Sequence, residues 1–388
     1  AIAAPLLADA PLRSATLERA IGLIRDFPGL KVADVALMRT DAGPGLYALR
    51  IKVTRDRVRA LAYMDNRGTD SIGRTRFYSS FALSSSVIDG DQLRLDLFTM
   101  PGRRFRYLYG QLLGSVPIGR DGLRLTLSAS KGDQHLGGGD TLNGDSTNLS
   151  AQLSYPVMRS RALTMVARLG VTDSRSSADG ETAERLRDRL RVARAALELS
   201  SEGKTRLAGE LSLSRGLGFD GMTEVGDPLA SRSDAGGRFT KATLTAQVIR
   251  PLSRRVRLQA VAAGQYASRP LLSVEEFALG GSKIGRAFAF NALTGDRGVG
   301  GGLEVSYRLP ESKRMPKGLE LFGFVDGGAT FEAGSSAATD RRRSLASIGA
   351  GTRFSLSGAL FSAEVGVPVA TDGHDRSPRL FLSTFRAF

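Results

Sequence analysis

A chain of 388 residues without a single Cys has no disulfide or thiol chemistry, and its two His, His135 and His374, sit in Gly/Asp-rich segments that read as loops, which argues against a His-based catalytic or metal site. The formal charge of +15 would suit a nucleic-acid binder, but the basic residues are not gathered into a patch or tail. No run of about 18 apolar residues exists, which excludes a transmembrane helix but leaves open a membrane β-barrel, whose segments of about 10 alternating residues escape such a test.

Ala1-Ile2-Ala3-Ala4-Pro5 lacks the basic start and apolar core of a signal peptide, so the sequence reads as a processed or truncated form. Residues 1–56 then differ from all that follows. Leu17, Ala20, Ile21, Ile24 and Phe27 recur at helical spacing, Ser14 is placed to cap the start, and Pro28-Gly29 stops the helix. Two strand-like runs, 31–39 and 46–54, are joined by Thr40 to Gly45, giving a helix followed by a hairpin.

From Asp56 the texture changes to repeated alternation. Strands are predicted at 57–67, 73–87, 91–100, 104–116, 121–131, 146–156, 161–173, 186–200, 204–215, 238–250, 254–268, 298–309, 318–331, 342–356, 359–369 and 379–388, which makes 16. Charges recur singly within them: Arg94, Arg124, Arg168, Arg257, Arg308 and Arg353 with Asp96, Glu210, Glu304, Glu320 and Glu364. That placement suggests a wet inner surface, with Leu95, Leu125 and Val305 on the opposite, lipid-facing side. The connections alternate between short (117–120, 157–160, 201–203, 251–253, 357–358) and long (132–145, 174–185, 216–237, 269–297, 332–341). Short turns on one rim and long loops on the other are the build of a membrane barrel, and an even strand count lets it close without an edge. Phe388 ends the last strand with an aromatic residue.

The most distinctive stretch runs from Ser273 to Asp326. A Gly-rich loop carries one basic anchor in Gly285-Arg286-Ala287-Phe288 and returns to a strand through Gly295-Asp296-Arg297-Gly298. A later strand carries Phe324-Val325-Asp326-Gly327-Gly328, with Asp326 facing away from its aliphatic side. Gly298 to Gly302 opens a strand rather than a helix, so it reads as a strand whose missing side chains let the loop approach, not as a phosphate cradle. Ser128 and Lys131 match an S-x-x-K spacing, yet they lie on a strand without partner motifs. No catalytic residue, metal ligand or cofactor is assigned.

This constellation resembles the two-partner secretion transporters, the outer-membrane pores of the BamA superfamily that include haemolysin and haemagglutinin exporters. The tip departs from the commoner VRG order of that family. The resemblance implies an all-β membrane protein: a 16-stranded antiparallel barrel over 57–388, with the loop 269–297 as a lumenal plug locked by Arg286 and Asp326. The helix and hairpin, with Phe27-Pro28-Gly29-Leu30, resemble the second half of a POTRA module, so 1–56 is expected to be a partial periplasmic POTRA domain. The implied function is export of an unfolded exoprotein without ATP, the partner being captured by the POTRA unit. The implied setting is a monomer in the lipid and lipopolysaccharide of a Gram-negative outer membrane, with no nucleic acid and no enzymatic activity. A BamA-type insertase, a passive porin and an outer-membrane enzyme are the alternatives.

Overall fold

Alternating strands bury one face and expose the other, but an open sheet leaves unpaired backbone groups along its edges, and hydrocarbon does not tolerate them. In the computed structural model the chain meets this constraint by closure. The structure describes residues 6, 9, 11–40, 47–69, 72–102, 106–136, 142–180, 186–333, 342–373 and 376–388. His374 and most of the predicted connection 332–341 lie outside the described residues.

A helix, α1 (Ser14–Arg25), precedes a hairpin of β1 (Leu30–Arg39) and β2 (Tyr47–Arg55). The barrel strands follow: β3 (Val58–Asp65), β4 (Arg76–Ser84), β5 (Gln92–Pro101), β6 (Arg106–Ile118), β7 (Leu123–Leu136), β8 (Leu142–Arg159), β9 (Leu163–Gly180), β10 (Leu186–Ser201), β11 (Arg206–Gly216), β12 (Thr240–Pro251) and β13 (Val256–Ala267). A two-stranded piece, β14 (Phe277–Leu279) with β15 (Leu293–Gly295), stands apart, and β16 (Arg297–Arg308), β17 (Lys317–Phe331), β18 (Arg343–Leu356), β19 (Ala359–Thr371) and β20 (Arg379–Ala387) complete the circuit. Each of the sixteen barrel strands pairs antiparallel with its neighbours, β13 directly with β16, and β20 closes on β3.

The two faces separate as the alternation requires. Leu95, Leu303, Val305, Leu321 and Val325 are exposed on the outer face, whereas Asp96, Glu304, Ser306, Glu320 and Asp326 are buried on the inner one. Two of the predicted long connections need correction. Most of 132–145 and 174–185 is strand, since β7 runs to Leu136, β8 starts at Leu142 and β9 runs to Gly180. There the side chains are mostly small or polar, with Gly, Ser, Asp, Asn, Gln, His and Arg on both faces, so apolar alternation stops while the backbone ladder, which needs no particular side chain, continues.

The helix also starts differently from expectation. Ser14 is its first residue and Arg13 holds the cap position without a side-chain bond. Asp9 supplies the acceptor instead, taking the Arg13 N–H at 3.0 Å and the Thr16 hydroxyl at 2.5 Å. Gly29, at φ 74°, turns the chain out of the helix into β1.

α1 docks against the short turns. Gly122 leaves room for Leu23, because a Cβ there would stand 2.6 Å from its methyl, and Gly90 does the same for the Phe27 ring at 2.4 Å. Arg19 donates to the Pro156 carbonyl at 3.0 Å and to the Tyr155 hydroxyl at 3.1 Å, and Arg159 grips Asp26 with two bonds of 2.7 and 2.9 Å. The Gly90 turn is itself rigid: Asp91 accepts the N–H groups of Ser86, Val87 and Ile88. Burial pushes the Asp91 carboxyl up, but those N–H groups outweigh it and hold the group below the usual carboxylate range.

Candidate functional site

Residues 268–296, between β13 and β16, turn back onto the inner face of β16–β19. What admits the loop is a lack of side chains on the wall. A Cβ at Gly298 would stand 2.1 Å from the Phe277 ring, and one at Gly300 would stand 2.9 Å from Leu279 and 3.0 Å from Ile284. Gly328 lies under the same Leu279 at 2.9 Å, and Gly366 lies under Ala287 at 3.0 Å. Into this strip of glycines the loop presses Leu279, Ile284, Ala287, Phe288 and Leu293, which bury together with Leu345 of β18.

The tip is held by charge. Gly285 adopts φ 79°, a left-handed turn that points the N–H groups of Gly285 and Arg286 at Asp326. Asp326 accepts them at 2.7 and 3.3 Å and also takes the Ser347 hydroxyl at 2.6 Å. Arg286 and Asp326 thus meet, but not as a guanidinium–carboxylate pair. The turn commits Asp326 to the backbone, so the Arg286 side chain extends past it. Its Nη1 donates to Glu304 of β16 at 2.7 Å, its Nη2 donates to Glu364 of β19, and its Nε reaches Glu364 at 3.3 Å. The two residues expected to pair thus meet through the backbone, and the tip's contacts spread over β16, β17, β18 and β19.

Aromatic rings form the floor. Gly349 and Gly351 lack side chains, so the Phe324 and Phe322 rings of β17 lie across them, 2.4 and 2.5 Å from where Cβ atoms would be. The Arg286 guanidinium stacks on Phe324 at 3.7 Å and Arg353 stacks on Phe322 at 3.8 Å. Arg353 also donates to Glu304 at 2.6 and 2.7 Å, and Arg257 donates to Glu320 at 2.6 Å. Together with Arg67, which binds Glu364, four arginines face Glu304, Glu320, Glu364 and Asp326. A balanced, multiply bonded cluster is the condition under which buried charge is tolerated.

A second clasp holds the loop where it enters and leaves the wall. Asp296, fully buried, accepts the N–H groups of Leu271 and Ala333, each at 2.7 Å, and Arg232 Nη1 at 2.8 Å. Arg232, from the β11–β12 connection, also binds Glu276 at 2.7 Å. Gly295 pairs with Phe277 in the small β14–β15 sheet. Arg297 donates to the Ala267 carbonyl at 2.9 Å and stacks on Tyr266 at 4.7 Å.

The residues singled out in the sequence are therefore brought together, though with different partners. Glu304, Glu364 and Arg353 were legible only as lumenal charges. Arg67 ends the predicted strand 57–67, which in the structure stops at Asp65, and Arg232 stands in an irregular connection; neither was singled out in the sequence. A cavity of about 640 Å³ opens beside the tip, lined by Arg286, Glu304 and Arg353 on one side and by Arg168, Glu198, Glu210 and Gln247 on the opposite wall. His135 stands at the far end of β7, bonded to Asn143 at 2.5 Å. Among the described residues no cluster of His, Cys, Asp and Glu could hold a metal ion.

Comparison with known proteins agrees with this architecture. CdiB from Escherichia coli superposes with a TM-score of 0.80 at 17% identity, over 96% of this chain and 70% of that one. CdiB from Acinetobacter baumannii gives 0.78 at 16% identity, over 97% and 69%. BamA from Haemophilus ducreyi lacking POTRA domains 1–3 gives 0.63 at 11% identity, over 97% and 79%. At these identities the likeness is one of fold. No curated protein matches the sequence. The family model for haemolysin secretion/activation protein ShlB/FhaC/HecB matches residues 48–354, most of the chain. The chain belongs to this family of outer-membrane two-partner secretion transporters.

Proposed function

We propose that the barrel exports an unfolded exoprotein through its interior without ATP, with residues 268–296 as a movable plug and residues 1–56 as a partial POTRA unit on the periplasmic rim. Arg286 and Asp326 are the lock in this scheme. The observation that carries it is the nature of the tip contacts. The tip is fixed largely by charge-assisted bonds beside a polar cavity, and such bonds can be exchanged for water or for a passing polypeptide at low net cost. The POTRA unit captures the partner's N-terminal segment by adding it as a strand to the β1–β2 hairpin, where Leu37, Met38, Tyr47 and Val53 are exposed. The barrel acts as a monomer, its outer face against lipid and lipopolysaccharide.

The test is reconstitution of the purified protein in liposomes with an unfolded candidate exoprotein, chosen from the neighbouring gene, and no nucleotide. Protected uptake of that chain is expected. Absence of uptake, together with accelerated folding of a barrel reporter in the same liposomes, would replace export with insertase activity. A proline at Val35 or Leu49 of the hairpin should block uptake while leaving barrel assembly intact.

A further inference from the structure

The barrel's closing seam is its weak line. β3 and β20 share five paired residues, Leu61↔Ala387 to Asp65↔Ser383, against eight in each flanking interface, β3–β4 and β19–β20. Beyond the ladder, Ala60 and Phe388 exchange backbone bonds of 2.8 and 3.4 Å at one end, and at the other the Asn66 N–H donates to the Leu382 carbonyl at 3.3 Å, where the Asn66 side chain adds to it. Asn66 donates to the Leu380 carbonyl at 3.0 Å and accepts the Leu382 N–H at 2.8 Å. The next residue, Arg67, turns inward and is 6% exposed.

Arg67 makes three contacts that belong to different parts of the molecule. Its guanidinium lies 3.8 Å over the Phe381 ring of β20. Its Nη1 donates at 2.8 Å to the carbonyl of Arg286 at the loop tip, and its Nη2 donates to Glu364 of β19, the carboxylate that Arg286 also uses. Its root is fixed on β3, because its N–H donates to Asp65 at 3.0 Å and Arg76 clamps that carboxylate at 2.6 and 2.7 Å. If β20 slides away from β3, Arg67 loses either the ring or the tip. If the tip leaves, Arg67 loses the carbonyl that orients its fork, and its hold on β20 loosens.

We propose that Arg67 is a positioning residue that couples docking of the loop tip to closure of the β3–β20 seam, so that the two form one cooperative step. Coupling of this kind is reciprocal: fixing the seam must favour the docked tip by the same factor that docking favours the seam. The inference rests on the reading of the loop as a movable plug. Its test needs no exoprotein, so failure of export and failure of coupling are separable.

The chain has no Cys, and Met64 and Thr384 are partners across the seam, so Met64→Cys with Thr384→Cys gives an unambiguous cross-link. Pore opening in planar bilayers is recorded with this pair oxidised and then reduced, with Arg67 or with Arg67→Ala. With Arg67 present, oxidation should lower the opening probability by about fivefold or more, the range of coupling between sites. With Arg67→Ala the change should fall below about twofold, the range expected of independent sites. Arg67→Lys, which keeps the charge without the fork, should fall between. Phe381→Leu removes only the stacking surface and should weaken the coupling even if Arg67→Ala assembles poorly, as heat-modifiable gel mobility would reveal. Equal suppression with and without Arg67, or an opening probability that oxidation never changes, overturns the proposal.

Discussion

The loop tip and the N-terminal helix are both fastened to the barrel by arginine–carboxylate bonds, yet the fastenings differ in kind. At the tip, Arg286 is 10% exposed and its partners Glu304 and Glu364 are 6% and 9% exposed. Each of those carboxylates is shared with a second arginine, Arg353 or Arg67. At the helix, Arg159 meets an Asp26 that is 46% exposed, with no second cation on it among the described residues. Buried shared charges cannot be removed singly without leaving an excess charge, whereas a half-exposed pair simply returns to water. The same chemistry therefore makes a buried, shared fastening at one place and a soft dock at the other.

Arg286→Ala should break the contrast most severely. Removing one partner of a buried pair costs about 3–5 kcal/mol, and the low end applies here because Glu304 and Glu364 keep Arg353 and Arg67. A loss of about 3 kcal/mol shifts the docked–undocked balance by roughly two orders of magnitude. Single-channel recording should show a far more frequently open pore. An unchanged opening probability would move the lock from the side chain to the backbone contacts of Asp326.

Asp326→Ala comes next, at about 2 kcal/mol, since it orphans two backbone N–H groups and the Ser347 hydroxyl. The two substitutions act on the same tip, so once either has released it the other has little left to remove. The double variant should open no more than Arg286→Ala alone. Fully additive effects would mean that the two residues hold separate structures.

How much of this was legible in the sequence follows from which features are periodic. Strand existence and the inner and outer faces follow from period-2 alternation, and Gly298 and Gly300 announced a wall without side chains. The partner of Arg286 was not legible, because it depends on the sign of φ at Gly285, which turns the backbone N–H groups rather than the guanidinium toward Asp326. Arg232 stands in a connection, where no repeat marks a residue as inward, and Arg67, at the end of the predicted strand 57–67, lies past the end of β3, so alternation alone did not set it apart from its neighbours. The extensions of β7, β8 and β9 were hidden for the opposite reason: polar side chains on both faces erase the pattern while the ladder persists.

Arg232→Ala tests the intermediate case. Its side chain is 19% exposed and its partner Asp296 fully buried, but Asp296 keeps the N–H groups of Leu271 and Ala333. A loss of about 1–2 kcal/mol is expected, within the usual range for a hydrogen bond to a charged group. Hydrogen exchange should rise over residues 268–276 and stay slow at Gly285 to Phe288. Equal loss of protection at both places would show that the rim clasp and the tip lock are a single unit.

Arg159→Ala should have the smallest effect, and its size discriminates between two ways of holding the helix. If the ion pair holds α1, its removal should release the helix and salt should mimic it; an exposed pair contributes only ~0–1 kcal/mol. Packing of Leu23 and Phe27 over Gly122 and Gly90, together with Arg19 on the Pro156 carbonyl, persists in the variant. Protection of the helix amides should therefore fall by less than about fivefold, the equivalent of 1 kcal/mol. Gly122→Val, by contrast, should displace Leu23 and strain a backbone at φ 92°, releasing the helix outright. Release by Arg159→Ala as complete as by Gly122→Val would show that charge, not shape, seats the helix on the barrel, and would remove the difference between this dock and the tip lock.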